Sequence, residues 1–153
     1  MLLGAMNYPL ADLEKEIEWI AAGGFDFVDL TLEPERAMPD ALDPAAVRRR
    51  LAETGLRAVG HTAYYLPLTS PIPGLKEAAF DYFRRCLDFF AAVGVELVNV
   101  HPYTKIPLYG RDWIRQRQVD VLAELLGLAR SAGLKLMLEN TPPLFNTPAE
   151  LKP

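Results

Sequence analysis

His61, His101 and Glu139 each sit at the end of a short apolar run, in Val59-Gly60-His61, Asn99-Val100-His101 and Leu138-Glu139-Asn140. Imidazole nitrogens and carboxylates hold divalent cations, and a carboxylate can also take a proton from a carbon beside a carbonyl. The chain has no other histidine. Each run follows a glycine, at Gly55, Gly94 and Gly133, that closes a helical pattern. In a parallel α/β sheet the carboxyl ends of the strands line one rim, and active sites are built there. Side chains far apart in sequence can therefore meet at one point.

The elements that must position them alternate along the chain. Short apolar runs predict strands over Leu2–Asn7, Phe25–Leu32, Arg57–His61, Glu96–His101 and Lys135–Glu139. Four amphipathic stretches between them predict crossover helices. The first starts near Asp12, with Glu14 and Glu16 in its first turn, and stops at Gly23-Gly24. The second has Asp43 as cap, Pro44 at its first position and Gly55 at its end. The third runs from about Leu75 to Val93, with Phe83, Cys86, Leu87 and Phe90 on its apolar stripe. The fourth runs from about Asp112 to Ser131 and is expected to bury Trp113, Val121, Leu125 and Leu128.

Five strands in this order fit either a flavodoxin-like doubly wound sheet or part of a (β/α)8 barrel. Side-chain alternation separates the two. Val28, Leu30 and Leu32 share one face of the second strand, and Asp29, Thr31 and Glu33 share the other. Val98 and Val100 oppose Asn99 and His101; Leu136 and Leu138 oppose Lys135, Met137 and Glu139. Central strands of a doubly wound sheet are covered by helices on both faces and should be apolar on both. Here one face is apolar and the other grows polar toward the strand ends, as in a barrel interior opening onto a site. The fold expected is α/β: a partial (β/α)8 TIM barrel holding the first five strands and four helices. Thr147-Pro148-Ala149-Glu150 reads as the start of a fifth helix, so the expectation is a barrel cut at that helix.

With 153 residues, half of them apolar, the chain can bury the core of one domain. A net charge of −4 argues against nucleic acid as a partner, since phosphates call for a basic face. Arg48-Arg49-Arg50, bracketed by Val47 and Leu51, reads as a solvated helix face. Cys86 has no partner for an internal disulfide and is expected to be a small core residue in a reducing compartment. Neither a signal peptide nor a membrane-spanning run is recognisable, and the expected location is cytoplasmic. Dinucleotide, phosphate-loop and nucleophile-elbow motifs are missing, which argues against hydride transfer, nucleotide hydrolysis and serine hydrolase chemistry.

Four segments in order, Gly24-Phe25-Asp26-Phe27-Val28-Asp29-Leu30, Gly60-His61-Thr62, Val98-Asn99-Val100-His101-Pro102 and Leu136-Met137-Leu138-Glu139-Asn140, resemble the xylose-isomerase-like barrel superfamily. That group holds sugar and sugar-phosphate isomerases and epimerases together with endonuclease IV-type enzymes. The resemblance covers the whole chain, residues 1–153, as the amino-terminal part of such a barrel. It implies that Glu139 is a metal ligand. Histidines after the third and fourth strands ligate metal in the endonuclease-like branch, which implies His61 and His101 as further ligands. In the epimerase branch those positions more often shape the substrate pocket.

The function that follows from the resemblance is a sugar or sugar-phosphate isomerase or epimerase, dependent on zinc, manganese or magnesium. Carboxylates would move a proton between adjacent carbons, and Glu139 is the one catalytic carboxylate of the pair found here. Rival readings are a zinc phosphodiesterase on abasic DNA and a non-catalytic half-barrel that self-associates. The family takes further ligands from its sixth to eighth strands, typically an aspartate, a histidine and a second glutamate. Metal binding by the chain alone is therefore expected to be weak or absent, turnover is not expected, and a homo-oligomer is.

Further polar groups fall where a sugar would lie. Glu33 could bind a hydroxyl or orient a histidine, while Asp29, deeper on the same face, is expected to be an internal hydrogen-bond partner. Asn7 and Asn140 are candidate substrate groups on the rim. Tyr64 and Tyr103 lie in the loops after the third and fourth strands; each suits either stacking on a sugar or packing over the barrel mouth. Lys105 in the latter loop could meet a phosphate.

Overall fold

The computed structural model describes residues 1–102, 106, 108–140, 147 and 149. In these, ten elements follow one another: β1 (Gly4–Met6), α1 (Leu13–Ala22), β2 (Phe27–Leu32), a 3-10 turn (Pro39–Ala41), α2 (Pro44–Thr54), β3 (Arg57–Thr62), α3 (Pro73–Val93), β4 (Leu97–Val100), α4 (Arg111–Ser131) and β5 (Lys135–Leu138). The expected start of a fifth helix, and the loop positions Tyr103 and Lys105, fall largely or wholly outside the described residues.

Local chemistry explains the element ends. Asp12 accepts from the Lys15 amide and Asp43 from the Ala45 amide, satisfying donors that the first turn leaves unpaired. Gly55 and Gly94 stop α2 and α3 at φ of +71° and +89°, a conformation that a residue with a Cβ adopts at a cost. Pro73 stands at the first position of α3, where its missing amide hydrogen costs nothing, so the helix begins two residues before the expected Leu75.

All five strands pair in parallel in the order β1-β2-β3-β4-β5. A flavodoxin-like sheet would run 2-1-3-4-5, so the sequential order excludes that alternative and leaves an open barrel wall. Registers Thr31↔His61, His61↔Asn99 and Asn99↔Met137 align one row of side chains on the inner face. The other face carries Val28, Leu30, Leu32, Val98 and Val100, all essentially inaccessible beneath Ile17, Ile20, Val47, Phe83, Phe90 and Val121 of the helices. Gly60 is needed here. A Cβ at this position would lie 3.0 Å from carbons of the Phe90 ring, so the glycine lets α3 approach β3.

Two sequence expectations change. The buried stripe of α4 is Ile114, Gln118, Val121, Leu125 and Ala129. Trp113 is instead exposed and stacks on Tyr109 at 3.9 Å between ring centres, and Leu128 is only partly buried. A helix cannot aim Trp113 and Val121 at the same neighbour as well as Ile114 and Leu125 do, because eight residues overshoot two turns. The arginine run is also divided. Arg48 and Arg49 are exposed, whereas Arg50 reaches Glu14 and Glu18 of α1 and Glu53 of its own helix, tying α1 to α2.

Cys86 lies in the core with 0 % exposure, and burial pushes its thiol up to about 12 despite a hydrogen bond with Tyr82 that favours the thiolate. The thiolate is the reactive form. Native protein at about pH 8 is expected to leave a disulfide reagent such as DTNB unreacted, with one thiol titrating only after denaturation; prompt reaction of the folded chain would contradict this packing. No helix among the described residues is long and apolar enough to cross a membrane.

Candidate metal centre

β3, β4 and β5 end side by side, and the side chains that leave their inner face converge. His61 is the fifth residue of β3; His101 and Glu139 each follow directly on a strand, where the Glu139 amide still donates to the Val100 carbonyl. The two imidazoles face each other with Nε2 atoms 2.6 Å apart, and Glu139 Oε2 lies 3.8 Å from His101 Nε2. One ligand atom from each of the three falls within 4.8 Å of the others. Both histidine side chains are mostly covered, while Glu139 is 44 % exposed toward the open side.

Neighbouring groups hold these three in place. Asp29 Oδ2 lies 2.9 Å from His61 Nδ1, and Asn99 Nδ2 donates to Glu139 Oε2 at 2.5 Å. Burial opposes a charge on His61, but the hydrogen bond and negative charge of Asp29, joined by Glu139 and Glu33, outweigh it and raise the pKa above 6.5. Burial dominates at His101, and with repulsion from His61 it lowers that pKa against the pull of Glu139 and Asp29. Inside the cluster, Asp29 Oδ1, Asn99 Oδ1 and His101 Nδ1 are buried without a hydrogen-bond partner among the described residues.

Two imidazole nitrogens this close need a proton on one of them, directed at the other. Two neutral nitrogens and a carboxylate form the donor set that zinc and similar divalent ions take, so the residues fit such an ion.

The remaining candidates divide. Tyr64 is exposed and stands edge-on to His101, 6.3 Å between ring centres. Tyr65, in edge contact with Tyr64, hydrogen-bonds Glu33; burial and the Glu33 charge together raise its phenol pKa. Glu33, Tyr65, Tyr64 and His101 thus form a continuous wall. Asn140 is exposed beside Glu139. Asn7 is buried against the neighbouring strand. It is 1 % exposed, its Oδ1 accepts from the Thr31 amide at 2.7 Å and its Nδ2 donates to the Thr31 carbonyl at 3.3 Å. Its amide copies a backbone pairing and prolongs the β1–β2 seam. Sequence reasoning gave Asn99 no role in the site, although alternation puts it on the face of His101.

Residues 17–152 match the family described as xylose isomerase-like TIM barrel. The chain belongs to that family. No curated protein matches the sequence significantly. Among solved structures, a D-tagatose 3-epimerase-like protein is 21 % identical, with a TM-score of 0.81 over 98 % of this chain and 58 % of its own. The 3-keto-D-glucoside 4-epimerase YcjR from E. coli is 21 % identical, with a TM-score of 0.74 over 94 % of this chain and 56 % of its own. IolI with a bound zinc atom is 16 % identical, with a TM-score of 0.74 over 90 % of this chain and 51 % of its own. Such likeness establishes the fold, and this xylose isomerase-like chain spans about half the length of the structures it matches. The partial barrel expected from alternation is thus the architecture found.

Proposed function

We propose that this chain forms the first five strands of a divalent metal-dependent isomerase or epimerase acting on a sugar or sugar phosphate in the cytoplasm. The meeting of His61, His101 and Glu139 at the carboxyl ends of β3, β4 and β5 carries the reading. Sugar epimerases among the structural neighbours support the substrate class.

Epimerisation beside a carbonyl removes a proton from carbon and returns it to the other face. A cation held by His61, His101 and Glu139 would, when bound, polarise the sugar oxygens and lower the acidity barrier at that carbon. Asn99 anchors Oε2 of Glu139, which keeps the carboxylate in position to accept a proton. Tyr64, Glu33 and Asn140, with Tyr103 beyond the described residues, would contact the sugar.

A single carboxylate can remove a proton and return it to the same face but cannot invert the carbon. The chain alone, loaded with manganese, is therefore expected to exchange the proton beside a ketose carbonyl for deuterium from the solvent without forming epimer. Proton NMR of ketohexoses and ketopentoses in deuterium oxide reads both events. Absence of exchange in every sugar, with metal bound, would sink the isomerase reading.

The pair of histidines also favours a second reading, a zinc phosphodiesterase on abasic DNA, through the resemblance to the endonuclease IV branch. The net charge of −4 speaks against it. Zinc-dependent incision of an abasic duplex by this chain would make it the better one.

Self-association belongs to the same proposal. Among the described residues, β1 and β5 each have a strand neighbour on one side only, and Leu2, Leu3, Met6, Leu10 and Trp19 are at least half exposed on the β1 and α1 flank. Unpaired edges beside apolar surface recruit another chain. Light scattering at micromolar concentration is expected to give a dimer or larger; a well-behaved monomer would refute this part.

A further inference from the structure

We propose that Asp29 is the positioning residue of the cluster: it accepts the Nδ1 proton of His61, fixes that imidazole in one tautomer and leaves Nε2 bare toward His101 and Glu139. A carboxylate can only accept, so the 2.9 Å contact between Asp29 Oδ2 and His61 Nδ1 requires the proton to sit on Nδ1. A neutral His61 then carries its lone pair on Nε2, the atom 2.6 Å from His101 Nε2. Without a cation, the proton between the rings must come from His101.

The placement is built in by the strand. Val28 and Leu30 are fully buried on the helix side of β2, which forces Asp29 onto the inner face. Thr31 is the register partner of His61, so Asp29, two residues earlier, reaches the ring from one step deeper. It approaches from the Nδ1 side. Asp29 is accordingly absent from the group of atoms that could share one ion, which among the described residues holds His61, His101 and Glu139. A carboxylate behind a ligating imidazole fixes ring orientation and raises its basicity, and losing one typically lowers metal affinity about 10–100-fold.

This inference deepens the cation reading of the cluster and rests on it, but its first test needs no metal. The full chain, labelled with nitrogen-15 in its histidine rings, is examined by NMR at about pH 9, above the ordinary histidine range. Wild type is expected to show His61 protonated at Nδ1 and bare at Nε2. Asp29→Leu, close in size and without an acceptor, should lose that tautomer. Asp29→Asn, whose side-chain oxygen still accepts, should keep it. Calorimetric titration with zinc alone should show affinity about 10–100-fold weaker in Asp29→Leu and nearly restored in Asp29→Asn.

A wild-type His61 protonated at Nε2, or an Asp29→Leu variant with the tautomer unchanged, overturns the assignment. Circular dichroism checks folding; if Asp29→Leu does not fold, the wild-type and Asp29→Asn spectra decide. Should wild type show the Nδ1 proton while zinc affinity is the same in wild type, Asp29→Leu and Glu139→Ala, the tautomer assignment stands and the metal reading under the proposed function falls.

Discussion

Glu139→Ala is expected to lower the affinity of this chain for zinc or manganese at least about a hundredfold. Two neutral imidazoles and one carboxylate make up the cluster, and Glu139 supplies its one anionic ligand atom, 3.8 Å from His101 Nε2. Removing it discards a ligand atom and leaves Asn99 Nδ2 without the acceptor it holds at 2.5 Å. The loss should exceed the 10–100-fold that typically follows removal of a supporting partner alone, as in Asn99→Ala. The same substitution should abolish deuterium exchange, because the other carboxylate beside the histidines, Asp29, is committed to Nδ1 of His61 and lies outside the group that could share an ion. Calorimetric titration of both variants against wild type reads the ranking. Tight binding that survives Glu139→Ala would show the ion to be held elsewhere.

The largest effect on stability is expected from Phe90→Ala. Phe90 is 0 % exposed, packs edge-on against Phe89 and fills the space that Gly60 leaves on β3. Deleting a buried phenyl ring typically costs about 3–5 kcal/mol, a large part of the roughly 5–15 kcal/mol that stabilises a domain. At about 2–4 °C per kcal/mol for a chain of this size, the melting temperature should fall by on the order of 10 °C. The reciprocal change, Gly60→Ala, puts a methyl 3.0 Å from ring carbons and should cost about 1–3 kcal/mol through overpacking. Because the two positions touch, Gly60→Ala combined with Phe90→Leu should lose less than the sum of the single losses. Additive losses in thermal melts would mean that the ring and the glycine do not share this space. Since Gly60 directly precedes His61, Gly60→Ala is also expected to weaken zinc binding.

The outline of the fold was legible in the chain because strand alternation and helix capping act within a few residues. Asp29, Thr31 and Glu33 must oppose Val28, Leu30 and Leu32 whatever else the chain does, and Asp12, Asp43, Gly55 and Gly94 satisfy or permit helix ends locally. The same reasoning brought His61, His101 and Glu139 to one rim, since each ends a strand and parallel strands end together. Alternation alone, however, only favoured the barrel; the sequential order of the strands decides it, and order is a property of packing.

Partners across long separations were beyond local rules. Nothing in the sequence around Asn7 tells it to bond Thr31, 24 residues away, rather than a ligand, because a buried amide takes whichever backbone the neighbouring strand presents. Asn99 bonds Glu139 across 40 residues, and Arg50 draws Glu14 toward it across 36, only once β4 meets β5 and α1 meets α2. Trp113 is as apolar as Ile114, and only the helix's rotation against the sheet decides which of them is buried. The sequence by itself therefore determined which side chains face inward and, to within one residue, where each strand ends. Tertiary structure alone decided which of those side chains touch, because contact between distant residues depends on packing angles and register that no local pattern encodes.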